Sequence, residues 1–387
     1  MDGHGPRTAL DGLLVADFSR VLAGPFATML LGDLGADVVK VERPGAGDDT
    51  RSWGPPYVDG ESAYYLAINR NKRSVALDLS TADGRLAARR LAERADVIVE
   101  NFKPGTMARL GLSYDEVSAV NPAVVYCSVS GFGTTGAGAA RLGYDFIVQA
   151  VGGLMSITGP EDGEPTKVGV AVVDVLTGLF ASNAILAALL DRSATGAGQR
   201  VEVDLMSCLL AGLVNQASTY VTTGEVPQAL GNRHPAIVPY EMFAAADRHL
   251  VVAVGNDGQF AAFARALEME WLASDDRFGS NSSRVAHRKE LVEVIEGRLH
   301  ERPAAAWVAL LEAAGVPSGL VNDISEAFAL AGKLGLSPVV QVGDGSAGNE
   351  VAQVADPMHL FSSPVSYRRR PPRLGEHTDE VLRELGL

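Results

Sequence analysis

The stretch that determines the fold class is Leu13–Glu42, LLVADFSRVLAGPFATMLLGDLGADVVKVE. Leu13–Asp17 and Asp37–Glu42 are short apolar runs of the kind that form buried strands. Between them, Gly24–Leu34 has the length and apolar content of a helix. A strand, a helix and a second strand in this order predict a βαβ unit with two parallel strands and a covering helix.

Strands and helices continue to alternate up to about residue 130. Strands are predicted at Ser74–Leu79, Asp96–Glu100 and Val124–Val129. Helices are predicted from an N-cap at Thr81 to Ala95, and around Tyr114–Ala119. This alternation predicts an α/β fold whose sheet is mostly parallel and carries helices on both faces.

The second half of the chain contains a second α/β unit. Residues 168–190 are predicted to pass from a strand into a helix, and Arg200–Val203 to form a strand. Gly, Pro and Asn are frequent from Thr222 to Pro239, which indicates a linker. Beyond it we predict strands at 249–254 and 316–321, helices near 259–267, 283–299 and 303–314, and a final helix at 378–385.

The composition is that of a globular protein. Of 387 residues, 47% are hydrophobic, and 47 Asp and Glu against 33 Lys and Arg give a formal net charge of −14. This aliphatic content excludes intrinsic disorder. The acidic balance argues against nucleic acid as a partner. Two cysteines, Cys127 and Cys208, exclude a disulfide framework.

Residues 168–190 are long enough to span a membrane. Because they include Asp174 and several polar residues, a buried segment of a soluble protein is the preferred interpretation. The first ten residues carry charges and lack the apolar core of a signal peptide. We therefore expect a cytoplasmic protein without a membrane partner.

Several common catalytic motifs are missing. The sequence has no G-x-G-x-x-G at a strand–helix junction, no G-x-x-x-x-G-K-[ST], no H-E-x-x-H and no G-x-S-x-G. Its seven histidines are scattered without the spacing of metal ligands. Hydride transfer, nucleoside triphosphate chemistry, zinc hydrolysis and serine hydrolysis therefore lose support, and no metal site is predicted.

Asp174 is the single charged residue within an apolar run and is predicted to lie near the N-terminus of a helix. A carboxylate is favoured there by the free backbone N–H groups and by the helix dipole. Two interpretations stay open from the pattern alone. Asp174 is either a helix N-cap or a desolvated carboxylate nucleophile that forms covalent acyl intermediates.

Basic residues cluster at the ends of several predicted strands, within the segments Asn71–Arg73 (NKR) and Asn101–Lys103 (NFK) and at Arg43 and Arg109. Ligands of open α/β sheets bind beyond the carboxyl ends of the strands, so this set is able to hold a polyphosphate. Single surface charges are the competing interpretation. The segment Gly255–Gln259 (GNDGQ) lies between a strand and a helix, where it is either an ordinary turn or a set of N–H donors for an oxyanion.

An ordered series of motifs spans nearly the whole chain and includes the Asp174 segment. Its members are RVLAGPFAT (20–28), LGADVVKVERPG (34–45), NRNKRS (69–74), ENFKPG (100–105), SGFG (130–133), GYD (143–145), GNRHP (231–235), GNDGQF (255–260), AGVP (314–317) and LGEHT (374–378). In this series the chain resembles the family III CoA-transferases, which include formyl-CoA:oxalate, succinyl-CoA:dicarboxylate and carnitine-type enzymes.

The resemblance implies a role for each matching residue. Asp174 matches the aspartate that carries CoA as a thioester, and Gly255, Gly258 and Gln259 match the loop that assists it. Residues that match CoA contacts are Val21, Arg43, Asn71, Lys72, Asn101, Phe102 and Arg109. Leu22 stands where formyl-CoA transferase has a glutamine, which argues against oxalate-type chemistry. No tightly bound cofactor is implied, since CoA and acyl-CoA are substrates.

The resemblance also implies an architecture that periodicity cannot supply. Residues 1–205 and 326–387 are expected to form a large Rossmann-like domain, 241–325 a smaller α/β domain, and 206–240 the linker between them. The expected assembly is an interlocked homodimer.

The implied activity is transfer of CoA from an acyl-CoA donor to a carboxylic acid, with succinyl-CoA and a small dicarboxylate as the first expectation. An α-methylacyl-CoA racemase is the main alternative. Its histidine before the aspartate of the GYD segment is replaced here by Tyr144, which we expect in the substrate pocket. A non-catalytic CoA-binding protein is the second alternative.

Overall fold

The computed structural model describes residues 7–343 and 349–387. The chain divides into two compact units. The larger one contains the described residues up to Leu154 together with Lys167–Glu225 and Ser337–Leu387. The smaller one contains Met155–Thr166 and Val226–Leu336.

A six-stranded sheet forms the centre of the larger unit as described. Its spatial order is Lys72–Ala76, Asp37–Glu42, Leu14–Asp17, Val97–Glu100, Val125–Ser130 and Arg200–Asp204. Every neighbouring pair of strands is parallel. The predicted α/β class with a parallel sheet is therefore confirmed, although the strand expected at 74–79 occupies 72–76.

Alternate residues of each central strand pack into cores on opposite faces of the sheet. In the strand Val97–Glu100, Val97 and Val99 belong to one apolar cluster, whereas Ile98 belongs to the other. Such a two-sided strand is apolar throughout, which explains why the sequence showed continuous apolar runs there.

Helices cover both faces of this sheet. Those of the larger unit are Ala23–Asp33, Ala63–Leu66, Ala82–Arg94, Thr106–Arg109, Tyr114–Ser118, Asp145–Val151, Val172–Thr195, Leu205–Gly212, Val214–Thr223 and Thr378–Glu384. Two antiparallel pairs of short strands, Tyr57–Val58 with Glu61–Ser62 and Val339–Val342 with Val351–Val354, lie outside the main sheet. The predicted cap is confirmed, because the Thr81 hydroxyl accepts from the Gly84 N–H at 3.1 Å.

Two sequence predictions differ from the structure in this unit. Residues 206–240, expected as a linker, contain most of the helix Leu205–Gly212 and the whole helix Val214–Thr223, the first of which is capped by Asp204 at the N–H of Ser207. The strand expected before Asp174 is wrong, because residues 168–171 are irregular and no neighbouring strand pairs with them among the described residues. A side chain holds this segment instead: Gln149 Oε1 accepts from the Val168 N–H at 2.9 Å.

The long helix Val172–Thr195 would be able to cross a membrane by its length and composition alone. Its buried residues include Val173, Thr177, Ala181, Ile185 and Ala188. Their spacing of mostly four residues places them on one face, which packs into the core of the larger unit. A buried core helix accounts for the same composition.

The sheet has a topological switch point beside its first strand. Asp37–Glu42 and Lys72–Ala76 extend the sheet on one side of Leu14–Asp17, whereas the strands from Val97 onward extend it on the other. The loops after Asp17 and Glu100 therefore diverge and leave a crevice, which is the usual ligand position in such sheets.

The smaller unit has an antiparallel sheet ordered Ser318–Leu320, His249–Ala253, Tyr240–Ala244. Its helices are Asp257–Ala266, Trp271–Ser274, Asn281–Ala286, Arg288–Leu299, Ala304–Ala313 and Ile324–Lys333. The single helix expected at 283–299 is wrong: it breaks at His287, whose backbone leaves the helical conformation. The strand at 240–244 was not predicted.

Candidate active site

The loop that follows the strand Leu14–Asp17 is hydrogen-bonded to the loop that follows the strand Val97–Glu100. Asn101 Oδ1 accepts from the Arg20 N–H at 2.9 Å, and Asn101 Nδ2 donates to the Arg20 carbonyl at 2.7 Å. The Asn101 amide thus hydrogen-bonds both the backbone N–H and the backbone carbonyl of Arg20, as a neighbouring strand would. This clamp fixes the crevice on one side.

The position of Asp174 is set by a neighbouring carboxylate. The N-cap of the long helix, Ala171, provides no side-chain cap, and Asp174 lies in the first helical turn rather than at the cap. Asp145 Oδ1 takes the capping role, accepting from the N–H groups of Val173 at 2.8 Å and Asp174 at 3.4 Å. Gln149 Nε2 holds the other oxygen of Asp145 at 2.6 Å.

The electrostatics of the site disfavour ionised Asp174. Burial, reinforced by the Asp145 carboxylate, raises the pKa of Asp174 to about 7. Burial and the charges of Asp174, Asp145 and Asp48 also raise the pKa of Tyr64 to about 12, which indicates that this phenol lies within electrostatic reach of all three. A carboxylate with a pKa near neutrality is more basic, and hence more nucleophilic, than an ordinary aspartate.

Two glycines let the loop before Asp145 lie close to the fifth strand of the sheet. A Cβ added at Gly131 would lie 2.5 Å from the Cα of Gly143, and one at Gly143 would lie 2.4 Å from the Cα of Gly131. Side chains at either position would push the backbones apart. The contact fixes the chain just before Tyr144, which is 60% exposed.

These elements surround a cavity of about 560 Å³. Its wall comes from both sides of the switch point and from the Asp174 helix, and it contains Arg20–Ala23, Asn101–Pro104, Val129–Gly131, Gly133, Ala139–Tyr144, Asp174 and Leu205. A second cavity of about 290 Å³ is lined by Arg20, Lys40–Arg43, Gly47, Asp48, Leu77–Ser80 and Phe102. Arg20 and Phe102 belong to both walls, so the cavities are adjacent.

Comparison with known proteins identifies the family. The sequence model of a protein family described as CoA-transferase family III matches residues 10–378. The chain belongs to this family. It is 43% identical to a succinyl-CoA:glutarate CoA-transferase of Mus musculus, over 97% of this chain and 86% of the relative. It is 44% identical to a succinate–glutarate CoA-transferase of Agrobacterium fabrum, over 97% and 95% of the two chains.

Solved structures give the same family and fold. A CAIB/BAIF family protein from Brucella suis is 42% identical and superimposes with a TM-score of 0.88, covering 98% of this chain and 100% of that one. The family described by the sequence motifs is therefore confirmed, and the protein is an enzyme of the CoA-transferase class. CoA-transferases use CoA thioesters as substrates.

Half of the residues expected at the CoA-transferase site meet at the two cavities. Val21, Asn101, Phe102, Tyr144 and Asp174 line the first, and Arg43 lines the second with Phe102. Arg109 is exposed on the helix that follows Phe102 and donates to the Thr106 hydroxyl at 2.9 Å.

Asn71 and Lys72 lie elsewhere. The Lys72 ammonium is fully buried, paired with Asp17 at 3.1 Å, and donates to Pro25 O and Asn69 Oδ1. Asn71 Nδ2 donates to Asp33 Oδ1 and Ser366 O, both at 2.7 Å. Neither residue contributes to the wall of the two cavities among the described residues.

The glycine loop belongs to the smaller unit. Asn256 caps the helix Asp257–Ala266 by accepting from the Gln259 N–H at 2.9 Å, and Gln259 Oε1 accepts from the Gly255 N–H at 2.7 Å. Two of the expected donors thus have acceptors within the loop. The N–H of Gly258, in the first helical turn, points along the helix axis as first-turn donors do.

Sequence reasoning missed two contributors to the site. No role was predicted for Asp145 of the GYD motif. An acid followed four residues later by a glutamine, here Gln149, is nevertheless a pair that interacts on a helix. Leu77–Ser80, which line the second cavity, directly follow a strand of the sheet and were therefore identifiable by the same rule as Arg43. Among the described residues no cluster of His, Cys, Asp and Glu is suited to a metal ion.

The raised pKa of Asp174 predicts a pH-dependent stability. Its folded value of about 7 exceeds its ordinary value of 3.8, so the stabilisation is complete below pH 4 and is lost as the pH rises to 7. Asp174→Asn, which cannot ionise, should therefore be more stable than the wild type at pH 8, by about 1–4 kcal/mol. Denaturant unfolding from pH 4 to 8 measures this difference.

The control is Asp191→Asn, which changes an exposed acid near the other end of the same helix. It should not reproduce the gain in stability that Asp174→Asn shows at pH 8. A destabilised Asp174→Asn protein at pH 8 would contradict the raised pKa.

Proposed function

We propose that this enzyme transfers CoA from succinyl-CoA to a small dicarboxylate through a thioester on Asp174. The observation that carries the proposal is the position of Asp174, a carboxylate of raised pKa in the wall of a cavity at the switch point of the sheet. Relatives named succinyl-CoA:glutarate and succinyl-CoA:mesaconate CoA-transferase support the substrate class.

In the proposed first half-reaction, a carboxylate oxygen of Asp174 attacks the donor thioester carbonyl. The C–S bond breaks, CoA leaves as a thiolate, and a mixed anhydride remains on Asp174. The thiolate then attacks the Asp174 carbonyl carbon and the donor acid leaves as a carboxylate. The product is an aspartyl-CoA thioester.

The second half-reaction reverses these steps with the acceptor. The acceptor carboxylate attacks the aspartyl thioester and expels CoA thiolate, which leaves a mixed anhydride of the acceptor with Asp174. The thiolate then attacks the acceptor carbonyl carbon of this anhydride, and Asp174 leaves as a free carboxylate. A carboxylate suits this role because its thioester has nearly the same energy as the substrate thioesters. The thiolate stays bound between the steps, where proximity gives it a high effective concentration.

The two adjacent cavities suit the two ends of CoA. We propose that the pantetheine arm lies in the cavity of Asp174 and the nucleotide in the second cavity. There Arg43 supplies positive charge for phosphate, and Leu77 and Leu79 supply apolar surface for a base. Val21, Asn101, Phe102 and Arg109 are proposed contacts between the two ends. Asn71 and Lys72 receive no CoA contact in this proposal, because their polar groups are engaged inside the larger unit.

The proposed role of the loop Gly255–Gln259 is to donate N–H groups to an acyl oxygen of the substrate. Gly258 is the favoured donor, since the N–H groups of Gly255 and Gln259 already have acceptors within the loop. One such donor is typically worth about 3 kcal/mol to an acyl-transfer transition state. Tyr144, which lines the cavity of Asp174, is the proposed wall of the acyl pocket.

We also propose an interlocked homodimer in the cytoplasm, with the larger unit as its Rossmann-like domain, as the family resemblance implies. Large apolar side chains are exposed on one chain, including Leu190 at 73%, Val221 at 79% and Phe361 at 100%. Burial against a second copy would remove this apolar surface from water.

Acyl exchange tests the proposed function. With succinyl-CoA as donor and glutarate as acceptor, we expect glutaryl-CoA to form, and much less product from acetate or oxalate. Asp174→Ala and Asp174→Asn should fold and lack exchange, because no carboxylate is present to carry CoA. Intact mass spectrometry after mixing with donor should show a CoA adduct on the wild type alone. Exchange at the wild-type rate in either variant, or no adduct on the wild type, would refute the mechanism.

The proposed nucleotide site predicts a selective effect on donor binding. Arg43→Ala and Arg109→Ala should each raise KM for the CoA donor about 10–100-fold with a smaller change in kcat, since a charge-assisted hydrogen bond is worth about 1.5–3 kcal/mol. Steady-state kinetics with varied donor measures this. Arg265→Ala, an exposed arginine of the smaller unit, is the control and should leave KM unchanged. An unchanged KM in both test variants would place the phosphates elsewhere.

A further inference from the structure

The segment after the first strand, Phe18–Ala23, forms part of the wall around Asp174 and is held at every residue up to Val21. The Phe18 N–H donates to Val99 O at 2.8 Å, and Arg20 is clamped by Asn101. The N–H and hydroxyl of Ser19 donate to Asp17 Oδ1 at 2.9 and 2.5 Å. We refer to Phe18–Ala23 as the wall segment.

Val21 has an unfavourable backbone conformation within the wall segment. Its φ is 69°, in the left-handed region that β-branched residues avoid. A conformation of this kind persists only where the surroundings determine it. The Val21 N–H donates to both carboxylate oxygens of Asp48, with the nitrogen 3.3 Å from each.

Asp48 is itself fixed by buried partners. Lys40 Nζ lies 2.8 Å from Asp48 Oδ2, and both side chains are fully buried. The N–H and hydroxyl of Thr50 donate to Asp48 Oδ1 at 3.0 and 2.8 Å. Despite burial, Lys40 lowers the pKa of Asp48 to about 2, so the carboxylate is ionised throughout the physiological range.

A second buried pair completes a neutral cluster of two acids and two lysines: Asp17, Lys40, Asp48 and Lys72. The cluster contacts the wall segment and the helix after it at several points. Lys40 Nζ donates to Ser19 O at 3.0 Å, Lys72 Nζ to Pro25 O at 2.8 Å, and Thr28 to Asp17 at 2.7 Å.

Buried ion pairs are poor sources of stability, because desolvation offsets most of the attraction. A fully satisfied buried network can instead keep its neighbours in one arrangement. Here that neighbour is Val21, which lines the cavity of Asp174 together with Leu22 and Ala23.

We propose that Asp48 is a positioning residue for CoA transfer, which holds Val21 in the left-handed conformation and so sets the wall of the Asp174 cavity. This inference rests on the proposed function, namely that the Asp174 cavity holds the reacting thioester. Asp48 also lines the second cavity, but it contacts no reacting atom in this assignment and acts on the reaction through the backbone of Val21.

A double-substitution experiment tests the assignment. Glycine adopts a φ near 69° without steric cost, so Val21→Gly removes the need for an external hold. We expect Asp48→Asn to lower kcat/KM about 10–100-fold, the size expected for releasing a strained residue. Val21→Gly alone also removes a side chain that lines the Asp174 cavity, so its own kcat/KM is the reference for the double variant. The double variant should lose little beyond this reference, because glycine no longer needs the hold of Asp48.

Asp33→Asn is the matched control, because it breaks another fully buried pair, with Arg70 Nη2 at 2.6 Å, outside the two cavity walls as described. It should lower the midpoint of thermal unfolding but leave kcat/KM within about threefold. Asp48→Glu keeps the charge but displaces the carboxylate by one methylene, and it repeats the test if Asp48→Asn does not fold.

The rate and the amplitude of CoA-adduct formation separate positioning from loss of folded enzyme. Positioning predicts a slower rate at full amplitude in the Asp48 variants, whereas partial unfolding lowers the amplitude alone. The inference is overturned if both Asp48 variants keep their activity, if the losses caused by Asp48→Asn and Val21→Gly multiply in the double variant, or if Asp33→Asn loses as much. Asp174→Ala, assayed alongside, tests the proposed function separately. If this variant were active, Asp174 would not carry CoA and the proposed function itself would fail.

Discussion

The site depends on one hydrogen-bonded contact, in which the Asp145 carboxylate accepts from the first-turn N–H groups of the long helix. The same carboxylate does two things. It places Asp174 at the edge of the cavity, and its negative charge opposes ionisation of Asp174. Helix N-termini ordinarily stabilise a carboxylate. Here Asp145 already occupies that favourable position, so Asp174 lies beside it without the same benefit.

The buried charges on the other side of the cavity have the opposite effect. Lys40 and Lys72 neutralise Asp48 and Asp17, and all four side chains are fully buried. Because these acids are paired, they remain ionised and keep their neighbours in fixed positions. Asp174 is thus left basic, while Asp48 and Asp17 are held as structural anions. Such a division of roles among acids requires that each has a different set of partners.

Much of the fold was predictable, because the strands of the parallel sheet are continuous apolar runs and Thr81 is a standard helix cap. The position of Asp174 near a helix start was predictable for the same reason. The partners of Asn71 and Lys72 were not. Both residues border a strand near the ligand crevice, and only long-range contacts with Asp33, Ser366 and Asp17 show that they point into the interior. The strand expected before Asp174 was wrong for a similar reason, because the side chain of Gln149, and not a neighbouring strand, holds that segment.

The chemistry that we propose explains why a half-buried aspartate suits this cavity better than an exposed one. In this proposal each intermediate on Asp174 is an anhydride or a thioester, and attack by water on either of them would lose the thioester energy irreversibly. A cavity wall that excludes water must also bring a carboxylate close to an acyl carbon, and burial then raises the pKa of that carboxylate. The cost of burying Asp174 and the protection of its adducts therefore arise from the same geometry. A rigid wall segment serves both purposes. A mobile one would admit water and would vary the distance between the Asp174 carboxylate and the acyl carbon.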